Sequence, residues 1–103
     1  MYVNAPPTFE INEDLTGEIH GPVIDQLGFS ERILEFVENN LNGDDNEIIL
    51  CYLKGSDGII MEATLDEYGY FKSLEKCLEY YSSEEQYEKC KKIKNLIKKY
   101  ELR

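Results

Sequence analysis

The sequence predicts a small single α+β domain: an N-terminal extended segment, one helix, a β-hairpin and a C-terminal antiparallel αα-hairpin. Three observations carry this prediction. Apolar residues recur at helical spacing in "SERILEFVENNLNG", and again in two stretches of residues 72–103. Two runs rich in β-branched and aromatic residues, "IILCYLK" and "IIMEATL", flank "GSDG". The chain has 103 residues, which suits one modest core.

Residues 1–28 read as extended or irregular. Pro6-Pro7 enforces extended backbone and offers no N–H. "TFEIN" alternates apolar and polar, so Thr8–Asn12 suits a short edge strand. Gly17, Gly21-Pro22 and Gly28 punctuate turns. Such a segment can drape over a partner or over the rest of the fold.

Residues 29–71 hold the helix and the β-hairpin. Ser30 is a natural N-cap, and Phe29 before it can staple onto Leu34. Ile33, Leu34, Phe36, Val37 and Leu41 share one face, with Glu31, Glu35 and Glu38 toward water. Asn42-Gly43 supplies a left-handed stop. Ile48–Lys54 and Ile59–Leu65 form the hairpin, which needs covering helices or a third strand, from Thr8–Asn12 or Tyr70–Phe71. "DEYG" at 66–69 reads as a turn.

Residues 72–103 read as two helices. Leu74, Cys77, Leu78 and Tyr81 mark the first; Tyr87, Cys90, Ile93, Leu96, Ile97 and Tyr100 mark the second. "SSEE" breaks the first and caps the second, with Ser83 as N-cap. Lys98 and Lys99 suit the negative end of the helix dipole. The spacing of this region resembles the UVR motif, the helical hairpin of the excinuclease subunits UvrB and UvrC, also found in McsA and ClpC-type regulators. Leu74 falls on the leading Leu, Leu78 on the Met, Ser82 on the first small residue and Tyr87-Glu88 on Phe-Glu. Cys90-Lys91 falls on the Ala pair, Ile93 on the aliphatic position, Lys94-Asn95 on Arg-Asp and Ile97 on the last aliphatic. Lys91 replaces a small residue, and Asn95 removes the carboxylate of the Arg-Asp pair. The resemblance covers residues 74–97 and implies a protein–protein module that self-associates or docks on a like hairpin, without catalysis.

Charge is partitioned along the chain. Residues 1–71 carry 15 Asp and Glu against Arg32 and Lys54, a net of −13; residues 72–103 carry a net of +3. That asymmetry favours contact between the two parts, or partners of opposite sign for each. The acidic body disfavours nucleic acid as a partner of the lysine-rich helix, although Lys91, Lys94 and Lys98 fall on one stripe.

Chemistry-bearing constellations are scarce. His20 is the single histidine, so it lacks a second imidazole for a metal site. "NGDDNE" at 42–47 lacks the ligand spacing of a calcium loop. Cys51, Cys77 and Cys90 form no C-x-x-C pair and read as reduced, half-buried thiols. No phosphate-binding Gly pattern occurs. No catalytic residue, cofactor, metal or small-molecule substrate is therefore expected. The N-terminus lacks the basic and apolar regions of a secretory signal, and no run suits a membrane span. The expected setting is intracellular and cytoplasmic, with a phage particle among the assemblies it suits.

These readings converge on a non-enzymatic interaction or assembly component, expected to be a homo-oligomer or to dock on a protein partner. The expected contact residues are Leu78, Tyr81, Tyr87, Lys91, Lys94, Ile97, Lys98 and Tyr100. The alternative is an acidic nucleic-acid mimic that inhibits a DNA- or RNA-binding enzyme.

Overall fold

The computed structural model describes residues 6–11, 23–43 and 48–102. Their order is β1 (Thr8–Glu10), α1 (Gln26–Asn42), β2 (Ile49–Lys54), β3 (Ile60–Thr64), α2 (Glu67–Ser83) and α3 (Tyr87–Glu101). This is an α+β domain with a three-stranded sheet ordered β1-β2-β3. Among the described residues, no helix is long and apolar enough to cross a membrane. Gly17, His20, Gly21-Pro22 and the acidic loop residues Asp44 to Glu47 lie outside the described residues.

The third strand comes from the N-terminal segment. β1 pairs with β2 in parallel, Phe9 beside Leu53, while β2 and β3 form the expected antiparallel hairpin. Tyr70–Phe71, the other candidate strand, lies inside α2. A register shift between Ile49 and Cys51 breaks the even pairing of β2 with β3. The pairing sets two faces. Phe9, Leu53, Met61, Cys51 and Ala63 share the face toward the core; Thr8, Glu10, Tyr52, Lys54, Ile60 and Glu62 share the other.

α1 begins earlier than the Ser30 cap predicts. Asp25 is the N-cap, and its carboxylate accepts the Gly28 N–H at 2.9 Å. Gly28 is therefore a first-turn residue and not a turn marker. A Cβ there would come within 2.3 Å of the Asp25 carboxylate, so the missing side chain makes room for the cap. Ser30 is buried inside the helix, where its carbonyl meets the Cys77 thiol. Phe29 packs edge-on against Phe9, ring centroids 5.5 Å apart, tying α1 to β1. Gly43 ends the helix at φ 75°, as expected.

"DEYG" is not a free turn. Asp66 accepts the N–H groups of Tyr68 and Gly69 and starts α2 at Glu67. Four residues of an apparent loop thus become cap and first turn. The break between α2 and α3 also shifts: α2 runs through Ser83, and α3 starts at Tyr87 behind Gln86, without a side-chain cap. Ser83 Oγ instead donates to the Tyr80 carbonyl at 2.7 Å. Glu85 takes φ 56°, and Gln86 N–H reaches back to the Tyr81 carbonyl, the six-to-one bond of a Schellman stop.

One core joins these parts. Phe36, Val37, Cys51, Leu74, Tyr81 and Ile93 are all fully buried. Phe36 meets Tyr70 edge-on at 6.4 Å, and Tyr100 donates its hydroxyl to the Glu67 carbonyl at 2.9 Å, fixing the end of α3 against the start of α2.

Candidate interaction surface

α3 is a 15-residue helix, about 22 Å long, and its sides have different employment. Cys90, Ile93 and Leu96 are buried. On the side toward α1, Lys92 pairs with Glu38 at 3.4 Å and Lys99 bonds the Asn42 side chain. Part of the lysine-rich helix thus answers the acidic body within the same chain. Tyr87, Lys91, Lys94 and Lys98 remain exposed. At 100° per residue these four fall within a sector of about 60°. Tyr87 is 68% exposed, a large aromatic at the head of three unburied ammonium groups.

The eight expected contact residues therefore separate. Tyr87, Lys91, Lys94 and Lys98 form one outward stripe. Leu78 and Ile97 are half-buried against the core. Tyr100 is half-buried, its ring tilted against that of Tyr70 with centroids 6.1 Å apart. Tyr81 is fully buried, so the contact expected of it is made inside the fold. The physical reason is width: α1, α2 and α3 pack against one another, so the hairpin's apolar stripe closes the core instead of waiting for a partner.

Burial also decides the cysteines. Cys51 and Cys77 lie fully inside, and burial pushes each thiol up to about 11; the Arg32 guanidinium partly offsets this at Cys51. Cys90 is buried too, with Sγ 3.5 Å from Ser82 Oγ. Cys51 and Cys77, protonated and shielded, are poor nucleophiles. Among the described residues, no three His, Cys, Asp or Glu side chains converge as metal ligands. A groove between the end of β1 and the hairpin loop brings Glu10, Lys54 and Asp57 together, all exposed.

Two features escape sequence reasoning. Arg32 points inward from α1: Nε donates to the Leu50 carbonyl at 2.6 Å, Nη2 to the Ile49 carbonyl at 3.2 Å, and Nη1 to the Glu35 carboxylate at 2.9 Å. It serves the carbonyls left by the irregular pairing of β2. The second feature is the outer end of the hairpin, where Ile60 and Met61 of the edge strand β3, and Ile59 just before it, are 57%, 39% and 53% exposed. The long apolar run "IIMEAT" was its only signal, and alone it could not say which residues lack cover.

No protein-family model, no curated protein and no solved structure matches this chain.

Proposed function

We propose that the protein is a non-enzymatic interaction or assembly component that docks on an acidic protein surface through the outward face of α3. The observation that carries this reading is the gathering of Tyr87, Lys91, Lys94 and Lys98 on one exposed stripe while the lysines on the α1 side are engaged within the chain. Three ammonium groups along two turns steer an acidic partner and fix register; the aromatic supplies an anchor with few rotatable bonds. The resemblance of residues 74–97 to UVR hairpins supports the same mode of contact. The body's strong negative charge works against a polyanionic nucleic acid as the partner.

The test is affinity capture from native cells, with nuclease treatment, comparing the full chain with a Lys91→Glu, Lys94→Glu, Lys98→Glu triple variant. Reversing three exposed charges leaves the core untouched, so loss of a captured protein reports the surface. Retention that disappears with nuclease would instead identify nucleic acid.

A further inference from the structure

We infer that β3 pairs with the β3 strand of a second copy, antiparallel, with Met61 on the two-fold axis. This rests on the reading of the protein as an assembly component, and names one partner and a second surface for it.

The sheet has two edges, and they differ. β1 is three residues long and follows Pro6-Pro7, which blunts it as a template for further pairing. β3 is five residues long, carries no proline, and has one charge, Glu62. Its exposed Ile60 and Met61, with Ile59 before them, make it an unguarded edge. The direction of its backbone groups follows from the hairpin. Gly55 N–H donates to the Ile59 carbonyl at 3.0 Å, so Ile59 turns its polar groups toward β2. Alternation then sends those of Met61 and Ala63 the same way, and those of Ile60, Glu62 and Thr64 to the open edge.

Charge selects the register. Pairing about Glu62 would set two carboxylates directly opposite, which is destabilising. Pairing about Met61 sets Ile60 opposite Glu62 of the second copy, and both have backbone groups facing the gap. Lys54 stands between Glu10 and Ile60 on the same sheet face, and its side chain is long enough to reach across Ile60 to the second copy's Glu62. Lys54 is one of two cations in residues 1–71, and the other, Arg32, is buried. Neither Lys54 nor Glu62 makes an ion pair among the described residues. The two-fold would satisfy both, twice. On the core side, Met61 would meet its own copy beside Leu53, extending the apolar row where helical cover ends.

The test is sedimentation equilibrium on the full chain from micromolar to millimolar concentration. The expected result is a reversible dimer. Lys54→Glu and Glu62→Lys should each weaken it about tenfold, and the double variant should recover most of that loss, because opposite charges again face across the gap. Ile60→Pro removes an N–H that faces the open edge and not β2, so it should abolish the dimer while circular dichroism shows the fold intact. Under mild oxidation Met61→Cys should cross-link the dimer and Glu62→Cys should not, since only position 61 meets itself. A monomer at all concentrations, equal cross-linking at 61 and 62, or a dimer indifferent to Ile60→Pro would overturn the inference. A dimer lost in the α3 triple variant but kept in Ile60→Pro would place self-association on the helices, overturning this inference and leaving the α3 reading standing.

Discussion

Arg32 shows how much one residue can decide. It is the sole cation of α1, and its sequence position between Glu31 and Ile33 suggests a solvated face. In the fold it is buried and bonded to two β2 carbonyls and to Glu35, with its guanidinium 5.5 Å from the Phe36 ring centroid. Arg32→Met fills similar space but strands the carbonyls, and should cost about 3 kcal/mol, read as a lower urea midpoint. Arg32→Lys should recover less than half, because an ammonium cannot serve the two carbonyls and Glu35 from one planar fork. The reverse case is Tyr81, whose buried hydroxyl has no hydrogen-bond partner among the described residues. Tyr81→Phe should therefore be neutral or stabilising by up to about 1 kcal/mol at pH 7, measured by the same denaturation.

The buried acids also fix an alkaline limit. Burial raises the thiols of Cys51 and Cys77 from 9.0 to about 11; burial first, then the nearby Glu31 carboxylate, raises the Tyr81 phenol from 10.0 to about 12. The folded chain thus keeps protons that the unfolded chain releases. Stability is full below pH 9, falls as pH rises through 11, and falls further toward 12. Urea midpoints should be level up to pH 9 and decline above it, and Cys77→Ala should make that decline shallower. A decline complete by pH 8 would show that other groups control it.

At the scale of elements, the sequence was legible where periodicity spoke and misleading where capping did. The apolar face of α1, the hairpin and both C-terminal helices were all visible in residue spacing. The starts were not. Asp25 and Asp66 cap helices across segments that look like turns, because Gly28 and the "DEYG" run are also turn-forming. Periodicity cannot see a cap lying several residues ahead of the first buried apolar residue, Ile33 in α1 and Tyr70 in α2. The parallel pairing of β1 with β2 was equally hidden, since alternation in "TFE" marks a strand without naming its neighbour. The α2–α3 connection offers a direct check. Glu85 holds a left-handed φ of 56°, a conformation that costs a side-chain-bearing residue about 1 kcal/mol. Glu85→Gly should raise stability by about that amount in thermal unfolding, and no gain would mean the turn is held otherwise.

At the scale of the molecule, charge partition was the clearest message of the sequence, and the fold divides its answer. Lys92 and Lys99 meet α1 within the chain, while Lys91, Lys94 and Lys98 stay outward with Tyr87. Lysine spacing marks Lys91, Lys94 and Lys98 as one stripe, whereas apolar spacing sets Tyr87 on the inward face and the fold leaves it exposed beside them. Which apolar residues would remain available was not legible, because it depends on how three helices share one core; Tyr81 was lost to that core and Ile60 with Met61 emerged at the sheet edge. Interaction surfaces are what remains after packing, so a one-dimensional pattern reads them last.

The most direct test of the central claim is parallel capture, under nuclease, by the native chain and by the Lys91→Glu, Lys94→Glu, Lys98→Glu variant, with bound proteins quantified by mass spectrometry over rising salt. An acidic protein should be retained by the native chain, released as salt rises, and lost from the variant, with the fold of both intact by circular dichroism. Equal retention by both chains, insensitive to salt, would contradict it.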